Sequence, residues 1–551
     1  MNPDPTSQAV ASHRPPVRKR RRKVLAGGLV ALAVVAGAGL LGGQPFASAA
    51  ADVTFDSGSG MTFVVSVKNG NMTSLKHNGA ELAAPGQAAG QFESGFGSAT
   101  VTGKTFSNQS LLVTVASSST GVTQYYYARK GDNTVYMATD ITRALNPGEA
   151  RFITRLNAKL LTSSPVAART AGTTATVEGS DVFRFANGQT ASKFYSSQRL
   201  IVQQPFGASG NGHGVYLVPG TNEMGSGGPF FRDIEVNDTG TAVNVTHYMF
   251  SGHEQTESLR LGLHGPYAMA VTDGAVPAGH SLDFLSAYIP GLLSNAQRGG
   301  VSGTAGGTWR GLHGTVALAG PNGQYWGAVK AGAFVIGHIR PGTYAATLYA
   351  GELAVGATKT VTVTAGATST LAMSGDVPAP GSLFQLGTLD GTPAGFLNAD
   401  KIETMHPSDT RMSAWAPGTL AVGAGAAKFP MAEFKAVNSP QAITFPLSTV
   451  PAGGVKLRVA TTGGFAGGRP AVAIGGFTSP TSASPAPVNL NSRGVTRGTW
   501  RGVNVTYTFT IPASALKTGT NTLSLSVLSG SSGDTFLSPN FSYDALSLDP
   551  A

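Results

Sequence analysis

The stretch MTFVVSVKNGN, residues 61–71, sets the character of the chain. Its apolar and β-branched residues alternate with small polar ones at the period of a half-buried strand, and Asn69-Gly70 is a dipeptide favoured in tight hairpin turns. Segments of the same kind recur outward from it at 111–115, 123–129, 135–140 and 152–156, bounded by Gly, Asn, Ser or Thr. Helical spacing of apolar residues is almost absent. The chain therefore reads as all-β. The block from 51 to 296 is too long for a small sandwich and predicts a large antiparallel β-sandwich of two curved sheets.

Pro290-Gly291 and the run QRGGVSGTAGG at 297–307 mark a boundary. Residues 297–375 then carry short strands, among them 327–330, 342–349 and 358–363, which suit a small sandwich of the immunoglobulin or fibronectin type. SGDVPAP at 374–380 is a linker by composition. From 381 to 551 strands return at 442–446, 455–460, 503–511 and 521–527, in a block of the length common for two-sheet jelly rolls. Division into several domains is what 551 residues lead one to expect.

The formal charge of +10 is concentrated at the start. Seven of the 38 Lys and Arg residues lie in the first 51 positions against one acid, Asp4, so the body carries only about +4. That excludes a nucleic-acid partner on charge grounds. Residues 1–50 read as a signal peptide: a basic block, an uncharged run from Val24 to Leu41, then Ala47-Ser48-Ala49 as a cleavage site. Arg21-Arg22-Lys23 also fits a twin-arginine signal, and a retained membrane anchor is the competing reading. Export by either route makes the protein secreted, with no membrane association after cleavage. Cysteine is absent, which excludes disulfides, thiolate metal sites and thiol nucleophiles.

Charged residues are only 12% of the chain, yet Lys, Arg, His and Tyr crowd together with Gly between 192 and 268. The words are SKFYSSQR (192–199), GPFFRDI (228–234), HYMFSGHEQTE (247–257) and GLHGPYA (262–268). Together with GFLNADKIETMHPSDTRMSAW (395–415), FAGGRP (465–470) and SPNFSYDALSLD (538–549), they resemble the family 4 polysaccharide lyases, the rhamnogalacturonan lyases. The resemblance implies a super-sandwich of galactose-mutarotase type over 51–296, a fibronectin-III-like domain over 297–375, and a carbohydrate-binding-module-like jelly roll over 381–551. It also implies endo-acting β-elimination of the rhamnose–galacturonate bond of rhamnogalacturonan I. Two features depart from the family: FQLGTLDG at 384–391 stands where a tryptophan-led word is common, and the fungal members' cysteines are missing.

Elimination needs three things: a base for the weakly acidic C5 proton, cations or a metal to hold the adjacent carboxylate, and an acid for the leaving oxygen. By the resemblance Lys193 is the base and His253 the acid, with Glu254 or Glu257 available to orient the histidine. A free lysine pKa near 10.4 must be depressed for that role, by burial and nearby arginines. Arg151, Arg155, Arg199 and Arg232 are candidates for both that shift and the grip on the carboxylate. Tyr248 is a candidate stacking residue, although its odd spacing from His253 puts the two on opposite strand faces unless Ser251-Gly252 bends the chain. His264 either lines the cleft or bonds the backbone. The central words hold few acids, so no metal is expected in catalysis; a structural calcium at Asp544 in the C-terminal domain is left open. A monomer acting on a polysaccharide is expected. A non-catalytic acidic-polysaccharide-binding protein is the alternative, and a glycoside hydrolase would draw its carboxylate pair from Glu223, Asp233, Glu235, Glu254 and Glu257.

Overall fold

The computed structural model describes residues 49, 51–145, 148–164, 170, 172–279, 281–480 and 485–551; the signal peptide expected over 1–50 lies almost wholly outside them. The described residues from 51 onward belong to one compact unit. Antiparallel sheets dominate, as the alternating pattern predicts, and the single described α-helix is the four-residue turn Arg493–Thr496.

Two large sheets form the first sandwich. One runs in the spatial order Val53–Asp56, Met61–Val65, Met72–His77, Gly90–Phe92, Ala150–Asn157, Ala242–Phe250 and Val236–Asp238. The other joins seven strands around Gly262–Thr272 and Thr134–Ile141. Between them lies a core that includes Phe63, Tyr126, Met137, Phe152 and Met269. The hairpin read from residues 61–71 is present, with Met61 opposite His77. Its loop is longer than a two-residue turn, closed by Gly70 N–H donating to the Ser66 carbonyl. Gly70 sits at φ +69°, and a Cβ there would meet Val115 Cγ1 at 2.1 Å, so only glycine fits.

The Gly-rich run at 297–307 marks a boundary in composition but is itself structured. Gly299–Gly306 is the middle strand of a three-stranded sheet, parallel to Thr368–Ser374. The glycines serve close approach: a Cβ on Gly303 would lie 1.6 Å from the Leu371 carbonyl oxygen. This sheet and a four-stranded one enclose a core with Val316, Tyr344 and Leu348. The strand expected at 327–330 is instead Gly323–Ala328, because the chain turns at Lys330–Ala333. The last domain stacks a six-stranded on a five-stranded sheet around Phe434, Leu457 and Tyr543. Phe384, in the word that departs from the family, pairs into this core at 5.4 Å from the Phe445 ring, so there it packs rather than offering a face to a sugar.

Candidate active site

The strand Ala150–Asn157 has two faces of different character. Ala150, Phe152, Thr154 and Leu156 are fully buried inward, while Arg151 and Arg155 point the other way. Its neighbour Ala242–Phe250 matches this alternation, placing Tyr248 opposite Arg151 and Asn244 opposite Arg155. Cross-strand partners share a face, so a polar strip of Arg151, Arg155, Asn244 and Tyr248 lies on the outside of the sandwich.

Lys193 comes from an insertion beside that strip. The small sheet Thr173–Thr176, Val182–Phe185 and Thr190–Ser192 delivers the chain into a 3-10 turn, Lys193–Ser196, capped by the Ser192 hydroxyl. The Lys193 amide donates to the Asp181 carbonyl at 2.8 Å. Its Nζ lies 3.9 Å from Asp181 Oδ1 and 5.6 Å from the Phe183 ring centre. Burial lowers the Lys193 pKa, and the charges of Arg151, Arg497 and Arg493 reinforce the shift against the pull of Asp181.

His253 reaches the same place through a bend. The strand ends at Phe250, Gly252 takes φ +68°, and the Ser251 hydroxyl accepts the His253 amide. That reversal cancels the odd spacing and brings the Tyr248 and His253 rings to 5.6 Å, edge to face. Phe194, next to Lys193, lies edge-on to the His253 ring at 5.9 Å. His253 Nδ1 pairs with Asp233 Oδ1 at 2.7 Å; a carboxylate accepts, so the proton sits on Nδ1 and Nε2 is presented to the cleft, 3.9 Å from Glu149 Oε1. The orienting acid is thus Asp233. Glu254 is buried with neither oxygen bonded, and Glu257 pairs with Arg501.

Arg151 is held by several partners. Nη1 donates to the Tyr248 hydroxyl at 3.0 Å, and the guanidinium faces Glu93 at 3.4 Å and Glu149 at 3.3 Å. Burial, aided by Glu149, pushes the Glu93 carboxyl up to about 7 against the pull of Arg151. Tyr248 is thus a hydrogen-bond partner of Arg151 as well as a ring beside the cleft. Arg155 has no side-chain hydrogen bond or ion pair among the described residues.

Three expected site residues have other duties. Arg232 is 2% exposed and donates to the carbonyls of Phe194, Glu403, Arg497 and Gly498, so its fork is used up bolting the last domain onto the Lys193 turn. Arg199 pairs with Glu352 and Glu403. His264 is 1% exposed, and its Nε2 meets the Arg260 carbonyl at 2.9 Å. Asp544 is fully buried with Oδ1 accepting the amides of Asp390 and Gly391, and burial raises its pKa well above the carboxylate range. Among the described residues no three His, Asp or Glu side chains gather as a metal site.

The last domain supplies residues that no sequence pattern singles out. Arg493 contacts Asp181 Oδ2 at 2.7 Å and Arg497 contacts it at 2.6 Å, the latter also pairing with Glu178. The word at 395–415 docks on the strand before Lys193: Asp409 accepts the amide and hydroxyl of Thr190, and the Ser192 amide donates to the Thr404 carbonyl. Both contacts tie residues more than 200 positions apart.

A hydrolytic pair finds little support among the five acids. Glu223 is clamped by Arg298 and Arg340, Asp233 by His253, and Glu257 by Arg501. Glu235 accepts from Gln198 and Gln203, with burial pushing it up to about 8.

Comparison with known proteins agrees across the chain. A family model described as "Rhamnogalacturonan lyase B, N-terminal" matches residues 46–289, and models of polysaccharide lyase family 4 domains II and III match 297–371 and 382–548. A "Putative rhamnogalacturonase" of Neurospora crassa is 42% identical over 525 residues, covering 93% of this chain and 96% of that one. "Rhamnogalacturonate lyase A" of Aspergillus aculeatus is 44% identical over 496 residues, and its namesake in Emericella nidulans 43%; each alignment covers 89% of this chain and 92% of the relative.

Proposed function

Because the chain belongs to polysaccharide lyase family 4, we propose that it cleaves rhamnogalacturonan I internally by β-elimination at the rhamnose–galacturonate bond. The observation that carries this reading is the meeting, beside one strip of sheet, of a partly buried lysine with a depressed pKa, a carboxylate-oriented histidine and arginines. A protein that only bound acidic polysaccharide would gain nothing from a lysine whose pKa is depressed.

In the proposed reaction Arg151 and Arg155 hold the uronate carboxylate, which spreads the charge that builds as C5 loses its proton. Lys193 Nζ takes that proton. The C5–H electrons form the C4–C5 double bond, the C4–O4 bond breaks, and His253, entering the step as imidazolium with a second proton on Nε2, gives that proton to the departing rhamnose oxygen and keeps the one on Nδ1. Asp233 holds the imidazole on its far side throughout. The arginines fill the role a metal plays elsewhere, so activity is expected to survive a chelator. The protein acts as a secreted monomer in this reading; no helix among the described residues is long and apolar enough to cross a membrane.

Incubation with rhamnogalacturonan I and a chelator, followed by ultraviolet absorbance of the 4,5-unsaturated uronate, tests the proposal. Appearance of reducing ends without that absorbance would make the protein a hydrolase.

A further inference from the structure

The polar strip continues past the catalytic cluster. Beyond Arg155 the register runs to Asn244, and Asn244 is opposite Asn237 on the edge strand Val236–Asp238. The inward residues of these strands, Val236, Val243 and Val245, belong to the core, so Asn237, Asn244 and Arg155 share the outer face. All three lack a side-chain partner among the described residues. The Oδ1 atoms of Asn237 and Asn244 are shielded from solvent and accept nothing, and Asn237 is only 7% exposed.

Such an arrangement is costly for a protein that gains nothing from it. A buried amide deprived of water and of a partner carries its desolvation penalty unrelieved. A half-buried guanidinium beside another cation carries one too, and burial together with Arg151 lowers the Arg155 pKa accordingly. Neither asparagine caps a helix or closes a turn; each sits within a strand. With each Oδ1 shut in, the Nδ2 groups are left to face outward, and what the strip offers is complementary: two amide donors for hydroxyl oxygens and one fork that grips a carboxylate. One sugar carries both groups.

We propose that Asn237 and Asn244 form the floor of a sugar subsite beside Arg155, reading the ring hydroxyls of the acidic sugar whose carboxylate Arg155 holds. This rests on the lyase reading for the identity of the sugar. The asparagines are specificity residues here: they touch substrate but move no proton.

The test is calorimetric titration of rhamnogalacturonan oligosaccharides, native and carboxyl-reduced, into protein carrying Lys193→Ala, so that binding is read without turnover. Asn237→Ala and Asn244→Ala are each expected to weaken binding of both ligands by up to about tenfold, the worth of a neutral hydrogen bond. Their thermal midpoints should stay level or rise, because an unsatisfied group has been removed. Asn244→Asp places a carboxylate beside Arg155, so it should weaken the native ligand at least about tenfold beyond Asn244→Ala and leave the carboxyl-reduced ligand no weaker than Asn244→Ala does. Unchanged affinity in the alanine variants would overturn the subsite. So would a fall in midpoint that accompanies the lost binding, since that assigns the amides to structure. Wild-type elimination is measured separately: its absence would remove the lyase reading and leave the binding comparison legible.

Discussion

Replacing Arg493 by Gln should move the limb on which activity rises with pH toward higher pH. Arg493 Nη2 lies 2.7 Å from Asp181 Oδ2, and Lys193 Nζ lies 3.9 Å from Asp181 Oδ1. Across one carboxylate the two cations are thus about 7 Å apart, and at an effective dielectric near 20 their repulsion is about 2 kcal/mol. Both side chains are less than a third exposed, so screening by solvent trims this value without erasing it. Removing the guanidinium makes the ammonium form of Lys193 easier to keep, and it returns more of the Asp181 charge to the lysine. Both effects have the same sign, so the limb should rise; solvent screening, and the larger shares of burial, Arg151 and Arg497 in depressing Lys193, keep the rise to no more than about one pH unit. The assay is kcat/KM against pH, read from the unsaturated product, which reports groups of the free enzyme. Arg493→Lys keeps the charge and serves as control, with its limb close to wild type. An unmoved limb in Arg493→Gln, or an equal shift in Arg493→Lys, would refute the idea that charge from the last domain keeps Lys193 basic.

Lys193→Ala should abolish turnover while binding persists, because the lysine acts on the proton in flight; activity above about a tenth of wild type would exclude it as the base. Asp233→Asn should lower kcat by roughly ten- to a hundredfold, the worth of a hydrogen bond to a charged partner, with KM little changed. A loss confined to KM would show that Asp233 serves binding instead. Arg151→Lys keeps a cation but gives up the fork to Tyr248 and the carboxylates, and kcat should fall by about two orders of magnitude, or about 2.7 kcal/mol. Full activity would reduce Arg151 to a point charge. Finally, burial holds His247 down to about 3 and His264 down to about 4, both from 6.5. Below pH 6.5 the unfolded chain takes protons that the folded one refuses, so stability is full above that pH and falls below it. Two such groups contribute up to about 2.7 kcal/mol per pH unit between roughly pH 6 and 4, opposed over the same range by the raised carboxyls of Glu93 and Glu235, which bind protons in the folded chain first. Denaturant titrations at several pH values on wild type and on a His247→Gln, His264→Gln variant isolate this contribution, and equal slopes in the two proteins over that range would contradict it.

The β architecture was legible because alternation and turn chemistry are local. Residues 61–71 predict a strand and a hairpin without reference to anything beyond, and Met61 does pair back on His77. Where local and global demands part, the reading slipped. Gly-rich 297–307 marks a boundary by composition, yet composition does not show that it is also a strand, whose Gly303 leaves room for the Leu371 carbonyl. The same divide separates Lys193 and His253 from their partners. Words around those two residues carry the family resemblance, whereas Asp181, Arg493 and Arg497 lie in unremarkable surroundings and meet only in three dimensions. Arg232 misled for the opposite reason: a lone arginine in a Gly-rich word reads as a ligand clamp, and only the carbonyls of Phe194, Glu403, Arg497 and Gly498 reveal it as a bolt.

The last domain therefore does more than accompany the catalytic one. Lys193 and His253 each stand beside an aspartate. The difference lies in what else each aspartate touches. Asp181 is shared with Arg493 and Arg497, whose charges, with that of Arg151, work against its pull on the lysine. Asp233 has His253 as its one ion-pair partner among the described residues, its Oδ1 also accepting the Ile234 amide at 2.7 Å. The two aspartates differ in that Asp181 is ion-paired directly with two arginines and Asp233 with none among the described residues. Those arginines sit on a single helical turn, Arg493–Thr496 and the residue after it, which the bonds from Arg232 to the carbonyls of Arg497 and Gly498 hold against the Lys193 turn. Severing the last domain would then free Asp181 for Lys193, and the lysine would keep its proton whether or not the rest of the cleft still bound its sugar.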